Sequence, residues 1–140
     1  MTIAFDTNVL IYSCDGRRPD RQAKALEILA APDEAVLLWQ VAVEFVAASR
    51  KLAGRGMTPA QAWERLDHFL AAFPLVRPTK RMLMRARRLH FAEQWSFWDA
   101  MIVAACLHAG VTRLYSEDLP GRSPPDGLEI VNPFAGSSFS

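Results

Sequence analysis

Short apolar runs alternate with longer amphipathic segments along this chain of 140 residues. Thr2 to Phe5 is apolar and reads as a first buried strand, and Asp6-Thr7-Asn8 then leads into a short helix, Val9 to Ser13. After a polar loop, Asp15 to Pro19, a helix is predicted from Asp20 to Ala31 with Ala23, Leu26 and Ala30 on one face, broken by Pro32-Asp33. Ala35 to Trp39 is a second strand, and Val41 to Leu52 an apolar helix closed by Gly54 and Gly56. Thr58, with Pro59 at the first helical position and Gln61 three residues on, caps a helix to about Phe73. Leu75-Val76 is a brief strand. A basic helix follows from Thr79 to about Gln94, and Ser96 caps an apolar one ending at Gly110. Arg113 to Ser116 and, beyond a Pro/Gly-rich turn, Leu128 to Val131 are the last strands; the tail, Gly136 to Ser140, is expected to be loose. Strands separated by helices of this length predict an α/β fold, a parallel sheet covered on both faces. The expected organisation is a single domain over residues 1–135.

Composition narrows the function little. A net charge of +1 names no partner. Arginine outnumbers lysine 13 to 3, which favours planar recognition of phosphate or carboxylate, although base composition of a genome produces the same bias. Cys14 and Cys106 lack the spacing of a zinc site and read as reduced packing residues of a cytoplasmic protein. His68, His90 and His108 have no partner spacing. Met1 leads directly into the first strand, so no signal peptide is expected, and no apolar stretch approaches the roughly 20 residues of a membrane span.

Four acidic residues change the picture. Asp6, Glu44, Asp99 and Asp118 interrupt the strings TIAFDTNVLIY, LLWQVAVEFVAAS, WSFWDAMIVAAC and RLYSEDL. A carboxylate in such company is costly to bury without a partner. Each has a local explanation too: Asp6 as a helix cap, Asp99 in a capping box with Ser96, Asp118 as a turn residue, Glu44 on an exposed stripe. One site explains all four together. Asp6 and Asp118 follow strands, and in a parallel sheet ligands gather beyond the carboxyl ends of strands. A divalent cation is the natural counter-charge. Mg²⁺ needs only a few carboxylates because it keeps several waters. The chemistry that follows is hydrolysis of a phosphodiester, with one ion or with two roughly 3.5–4 Å apart. Thr7, Asn8 and Ser116 offer hydroxyl and amide groups to orient the carboxylates, as well as ordinary turn chemistry.

The segment RPTKRMLMRARRLH holds six bases and no acid. Arg81, Arg85 and Arg88 share one helical face, Met82, Ala86 and Leu89 the packing face. The basic face is either simply solvated or a contact for a polyanionic substrate beside an acidic site. Arg17, Arg18 and Arg21 form a second, looser cluster. Trp95, Phe97 and Trp98 precede Asp99 and either pack the helix against the core or against a second subunit, or stack unpaired bases.

At these residues the chain resembles the PIN-domain ribonucleases, and specifically the VapC-type toxins of prokaryotic toxin–antitoxin pairs. IAFDTNVLIY resembles the opening motif with Asp6, VAVEF the second with Glu44, FWDAMIVAA the third with Asp99, and LYSEDL the fourth with Ser116 and Asp118. LEIVNPF resembles the closing strand. Ser116 stands where Thr is frequent, keeping the hydroxyl. The resemblance implies a three-layer sandwich with a central parallel sheet flanked by helices. It also implies a Mg²⁺- or Mn²⁺-dependent endoribonuclease acting on tRNA or rRNA, a homodimer, and a cognate antitoxin that blocks the site. Two other folds with acidic rims match less well. A phosphoacceptor receiver needs a late lysine, and the last here is Lys80; a haloacid-dehalogenase-type phosphatase needs Asp-x-Asp where this chain has Asp6-Thr7-Asn8. A non-catalytic RNA-binding or protein-interaction module is the alternative of a different class; losing a carboxylate would mark it, and all four are present.

Overall fold

The computed structural model describes residues 1–31, 33–55, 57–119, 124–125 and 127–135, with backbone alone for 53–55. In chain order the elements are β1 Thr2–Phe5, α1 Thr7–Ser13, α2 Pro19–Leu29, β2 Glu34–Leu38 and α3 Trp39–Ala48, which runs into a 3-10 helix, Ser49–Arg55. Then come α4 Pro59–Ala72, β3 Leu75–Val76, α5 Lys80–Ala92, α6 Phe97–His108, β4 Arg113–Tyr115 and β5 Glu129–Val131. The expected breakers Pro32 and Gly56, much of the turn before β5, and the tail at 136–140 lie outside the described residues.

The strands form one parallel sheet in the order β3-β2-β1-β4-β5. The chain winds outward from β1 to β3 and then returns to the other side of β1. Strand order therefore reverses between β1 and β4, the place where open α/β sheets bind ligands. Register brings Phe5 opposite Tyr115, so Asp6 and Ser116 leave the sheet side by side.

Local chemistry sets the helix starts. Thr58 and Gln61 form the expected reciprocal capping box, Thr79 accepts from Met82 N–H, and Ser96 from Asp99 N–H. Helix α3 starts at Trp39, directly from β2 and without a side-chain cap, two residues before the predicted start. Its α-helical part ends at Ala48 rather than Leu52, the remainder tightening into the 3-10 turn. The face expected to be buried on α2 is corrected: Ala25 and Ile28 are buried, while Ala23, Leu26 and Ala30 are exposed. The helix is rotated because it packs on α1 through Arg21, whose side chain lies over Tyr12.

The core lies on the sheet and along α6, which buries Ala100, Ile102, Val103, Ala104, Ala105 and Cys106. Phe5 packs against Phe73 and Tyr115 across it. Each fully buried aliphatic or aromatic side chain is worth about 1.5–3 kcal/mol. On α5, Met82, Ala86 and Leu89 are buried as predicted, and the helix packs against α6. No helix among the described residues is long and apolar enough to cross a membrane.

Candidate active site

Asp6 directly follows β1 and caps α1. Its backbone N–H donates to the Tyr115 carbonyl at 2.8 Å, continuing the β1–β4 pairing by one residue. Its carboxylate is only 8% exposed. Oδ1 accepts from Thr7 N–H at 2.8 Å and Oδ2 from the Ser116 hydroxyl at 2.7 Å. Ser116, with no exposed surface, also accepts from the N–H groups of Asp118 and Leu119 at 3.2 and 3.3 Å. One hydroxyl thus fixes the Asp6 carboxylate and closes the turn that carries Asp118. Asn8 braces this turn from α1, donating from Nδ2 to Asp118 Oδ2 at 3.2 Å and accepting at Oδ1 from Glu117 N–H at 3.4 Å.

Glu44 lies half-buried on α3. Gln40, one turn earlier, donates from Nε2 to Glu44 Oε1 at 2.7 Å and to the Trp98 carbonyl at 3.3 Å. That amide links α3 to the first turn of α6. Asp99 is half-buried there, its N–H bound to Ser96 Oγ at 3.3 Å.

Burial is the largest cause of a raised Asp6 pKa; its bonds to Ser116 and Thr7 oppose it, and the charges of Glu44 and Asp118 push in the same direction as burial. Glu44 and Asp118 are therefore each within electrostatic reach of Asp6. The tie of Asp99 to this group runs through the backbone of α6 and Gln40. Among the described residues no three Asp, Glu, His or Cys side chains converge closely enough to hold a metal ion as they stand. In kind, the donors fit a hard divalent cation, since every one is an oxygen. One further sign of a missing partner is Thr7 Oγ1, a buried hydroxyl with no hydrogen bond among the described residues. Leaving such a group unsatisfied costs about 1–3 kcal/mol.

The basic residues divide. Arg81, Arg85 and Arg88 are exposed on α5 and make no ion pair among the described residues. Arg17 is forked onto the buried Asp15 carboxylate, at 2.9 and 2.8 Å, and Arg18 lies over the Tyr12 ring. Arg21, grouped with them in the sequence, pairs with Glu117 and stacks over Tyr12 and Phe134. Tyr12 O–H donates to Glu117 as well, at 2.8 Å. This clamp, with Gln40, is what sequence reasoning missed. Its only signals were the i, i+4 spacing of Gln40 and Glu44 and the placement of Glu117 between Ser116 and Asp118. Of the aromatic trio, Trp95 is buried while Phe97 and Trp98 are exposed.

Fold and site together define a parallel α/β protein with an acidic centre at the reversal of its strand order. The PIN domain family model matches residues 3–119, and the chain belongs to the PIN-domain family. No protein of curated function matches it significantly. Among solved structures it is similar to a chain of a toxin–antitoxin complex from Klebsiella pneumoniae, at 22% identity and TM-score 0.69, covering 94% of this chain and 97% of that one. It is also similar to a chain of VapBC2 from Rickettsia felis bound to a promoter DNA fragment (19%, TM-score 0.69, coverage 94% and 98%). A third is a chain of VapBC-1 from nontypeable Haemophilus influenzae (15%, TM-score 0.67, coverage 95% and 98%). At these identities the likeness is one of fold.

Proposed function

We propose that this chain is a metal-dependent endoribonuclease, the VapC-type toxin of a toxin–antitoxin pair, acting in the cytoplasm as a homodimer and built as one domain over residues 1–135. The observation that carries the reading is the buried Asp6 carboxylate, destabilised by burial and by Glu44 and Asp118, at the reversal point of a PIN-domain sheet. Asp6, Glu44, Asp99 and Asp118 would hold Mg²⁺ or Mn²⁺. When bound, the ion supplies an acidified water for in-line attack and offsets charge on the leaving oxygen. Ser116 keeps Asp6 oriented, Asn8 does so for Asp118, and Gln40 for Glu44. Thr7 offers its free hydroxyl beside Asp6.

The exposed arginines Arg81, Arg85 and Arg88, and more weakly Arg17 and Arg18, draw the RNA, tRNA or rRNA, toward a site whose own charge repels it. A protein partner is supported by an apolar groove of about 740 Å³ between α3 and α4, walled by Trp39, Val43, Trp63, Leu66 and Leu70. A patch of that kind marks an interaction surface, and the similar structures are toxin–antitoxin complexes.

The test is cleavage of a labelled RNA pool by the purified, partner-free protein with Mg²⁺, with Mn²⁺ and with chelator, beside Asp99→Asn. Metal-dependent cutting that disappears in the variant is expected. A variant that cuts at the wild-type rate removes Asp99 from the site, and a folded protein that cuts no RNA turns the reading to a binding module.

A further inference from the structure

Beside the carboxylates lies a second, smaller pocket of about 510 Å³, lined by Trp39, Gln40, Val43, Glu44, Trp98 and Met101. Its two indoles are the unusual feature. Trp39 is 48% exposed and Trp98 65%. Large aromatic rings at a surface lose the benefit of burial unless something covers them. Trp98 is nevertheless held in place. Phe97 packs against it at 81° with centroids 4.9 Å apart, and His90 braces Phe97 at 89° and 6.2 Å. His90 Nδ1 in turn lies 2.8 Å from the Trp95 carbonyl, and Trp95 is buried. An exposed ring is thus tied to the core through ring contacts with Phe97 and His90 and a hydrogen bond to the Trp95 backbone.

We propose that this pocket binds one unstacked nucleobase of the RNA, adjoining the bond that is cut, with Trp98 and Trp39 as stacking surfaces. The inference rests on the nuclease reading above and names how that site would hold its substrate. Two observations select a nucleobase. The pocket is continuous with the acidic site, because Glu44 lines it and is also one of the carboxylates acting on Asp6. A group seated there lies against Glu44. The lining points the same way, since two exposed indoles, Trp39 and Trp98, offer flat apolar faces of the kind on which bases stack. Gln40 supports the arrangement by tying Glu44 to the Trp98 backbone through one side-chain amide. Base–aromatic stacking tolerates any base, which makes Trp98 and Trp39 positioning residues that require a single-stranded or splayed nucleotide at the cut.

The experiment compares a labelled oligoadenylate with the matching abasic strand, by fluorescence anisotropy in chelator. Proteins are the wild type, Trp98→Ala, Trp98→Phe and Trp39→Ala, each with its oligomeric state measured. The wild type is expected to prefer the base-bearing strand roughly tenfold, Trp98→Ala to lose the preference, Trp39→Ala to reduce it, and Trp98→Phe to keep most of it. In cleavage, Trp98→Ala is expected to raise KM by a similar factor with kcat little changed. Equal wild-type binding of the two strands overturns the proposal. So does a Trp98→Ala variant that keeps the preference, including one that only dissociates into monomers, which would assign the indoles to a second copy of the chain. If the wild type prefers the base-bearing strand but cuts no RNA with any metal, the nuclease reading fails and the base pocket stands.

Discussion

Ser116→Ala removes one oxygen from the most constrained point of the site. That oxygen donates to a buried carboxylate at 2.7 Å and accepts from two backbone N–H groups at 3.2 and 3.3 Å. A hydrogen bond to a charged group is worth about 1.5–3 kcal/mol, and each of the two longer bonds about 0.5–1 kcal/mol. No exposed surface lets water take over. The expected loss is about 3 kcal/mol at neutral pH, or roughly 10 °C in Tm for a domain of this size. The loss depends on pH. The Ser116 bond lowers the native pKa of Asp6, which burial raises above its ordinary value of 3.8. Without Ser116 the native pKa rises further. The penalty is therefore complete at neutral pH and shrinks as pH falls through the native pKa values, where both proteins protonate Asp6. Urea denaturation of metal-free protein, followed by circular dichroism at neutral and at mildly acidic pH, reads both quantities. The double variant with Asp6→Asn should show coupling of more than about 1 kcal/mol. A loss below about 1 kcal/mol, unchanged by pH and uncoupled from Asp6, refutes the assignment of Ser116 as the group that stabilises this carboxylate.

Three further outcomes follow from the same geometry. Because native Asp6 binds its proton more tightly than the unfolded chain does, the stability of the metal-free wild type relative to Asp6→Asn should rise as pH falls from neutral toward 3.8, measured by paired urea titrations. Mg²⁺ at a hundredfold excess over its Kd should stabilise the wild type by about 2.7 kcal/mol, and this shift in calorimetry should vanish in Asp6→Asn. Arg21→Ala should cost about 1–2 kcal/mol, because it removes the cover over Tyr12 and Phe134 together with the Glu117 ion pair. High salt should diminish that cost only slightly in chemical denaturation.

The legible parts of this fold were those written as strong local patterns. Capping residues at Thr58, Thr79 and Ser96 and the 3.6-residue period of Met82, Ala86 and Leu89 need no tertiary information. On α2 the apolar residues are spread around the helix, and the buried side was chosen by Arg21, whose aromatic and acidic partners come from α1, the β4 turn and the C-terminal segment. The candidate carboxylates were visible because each interrupts an apolar run. Of the four only Asp6 is buried, Glu44 and Asp99 being half-exposed and Asp118 exposed. The interruptions located the residues without telling which one bears the desolvation. Gln40 and Glu117 escaped notice because a polar residue on a helix or turn has no signature until its distant partner is in place.

The bond between Asp6 and Ser116 spans 110 residues. During synthesis Asp6 leaves the ribosome well ahead of Ser116, Asp118 and β4, the later of the two strands that pair with β1. Parallel pairing across such a separation is slow and late in folding. The acidic centre consequently forms only after β4 and the turn that follows it have been made, and no nascent fragment ending before β4 can carry it. For a chain proposed to cut RNA, that order of assembly keeps the growing polypeptide inert toward the ribosome and tRNAs that are making it.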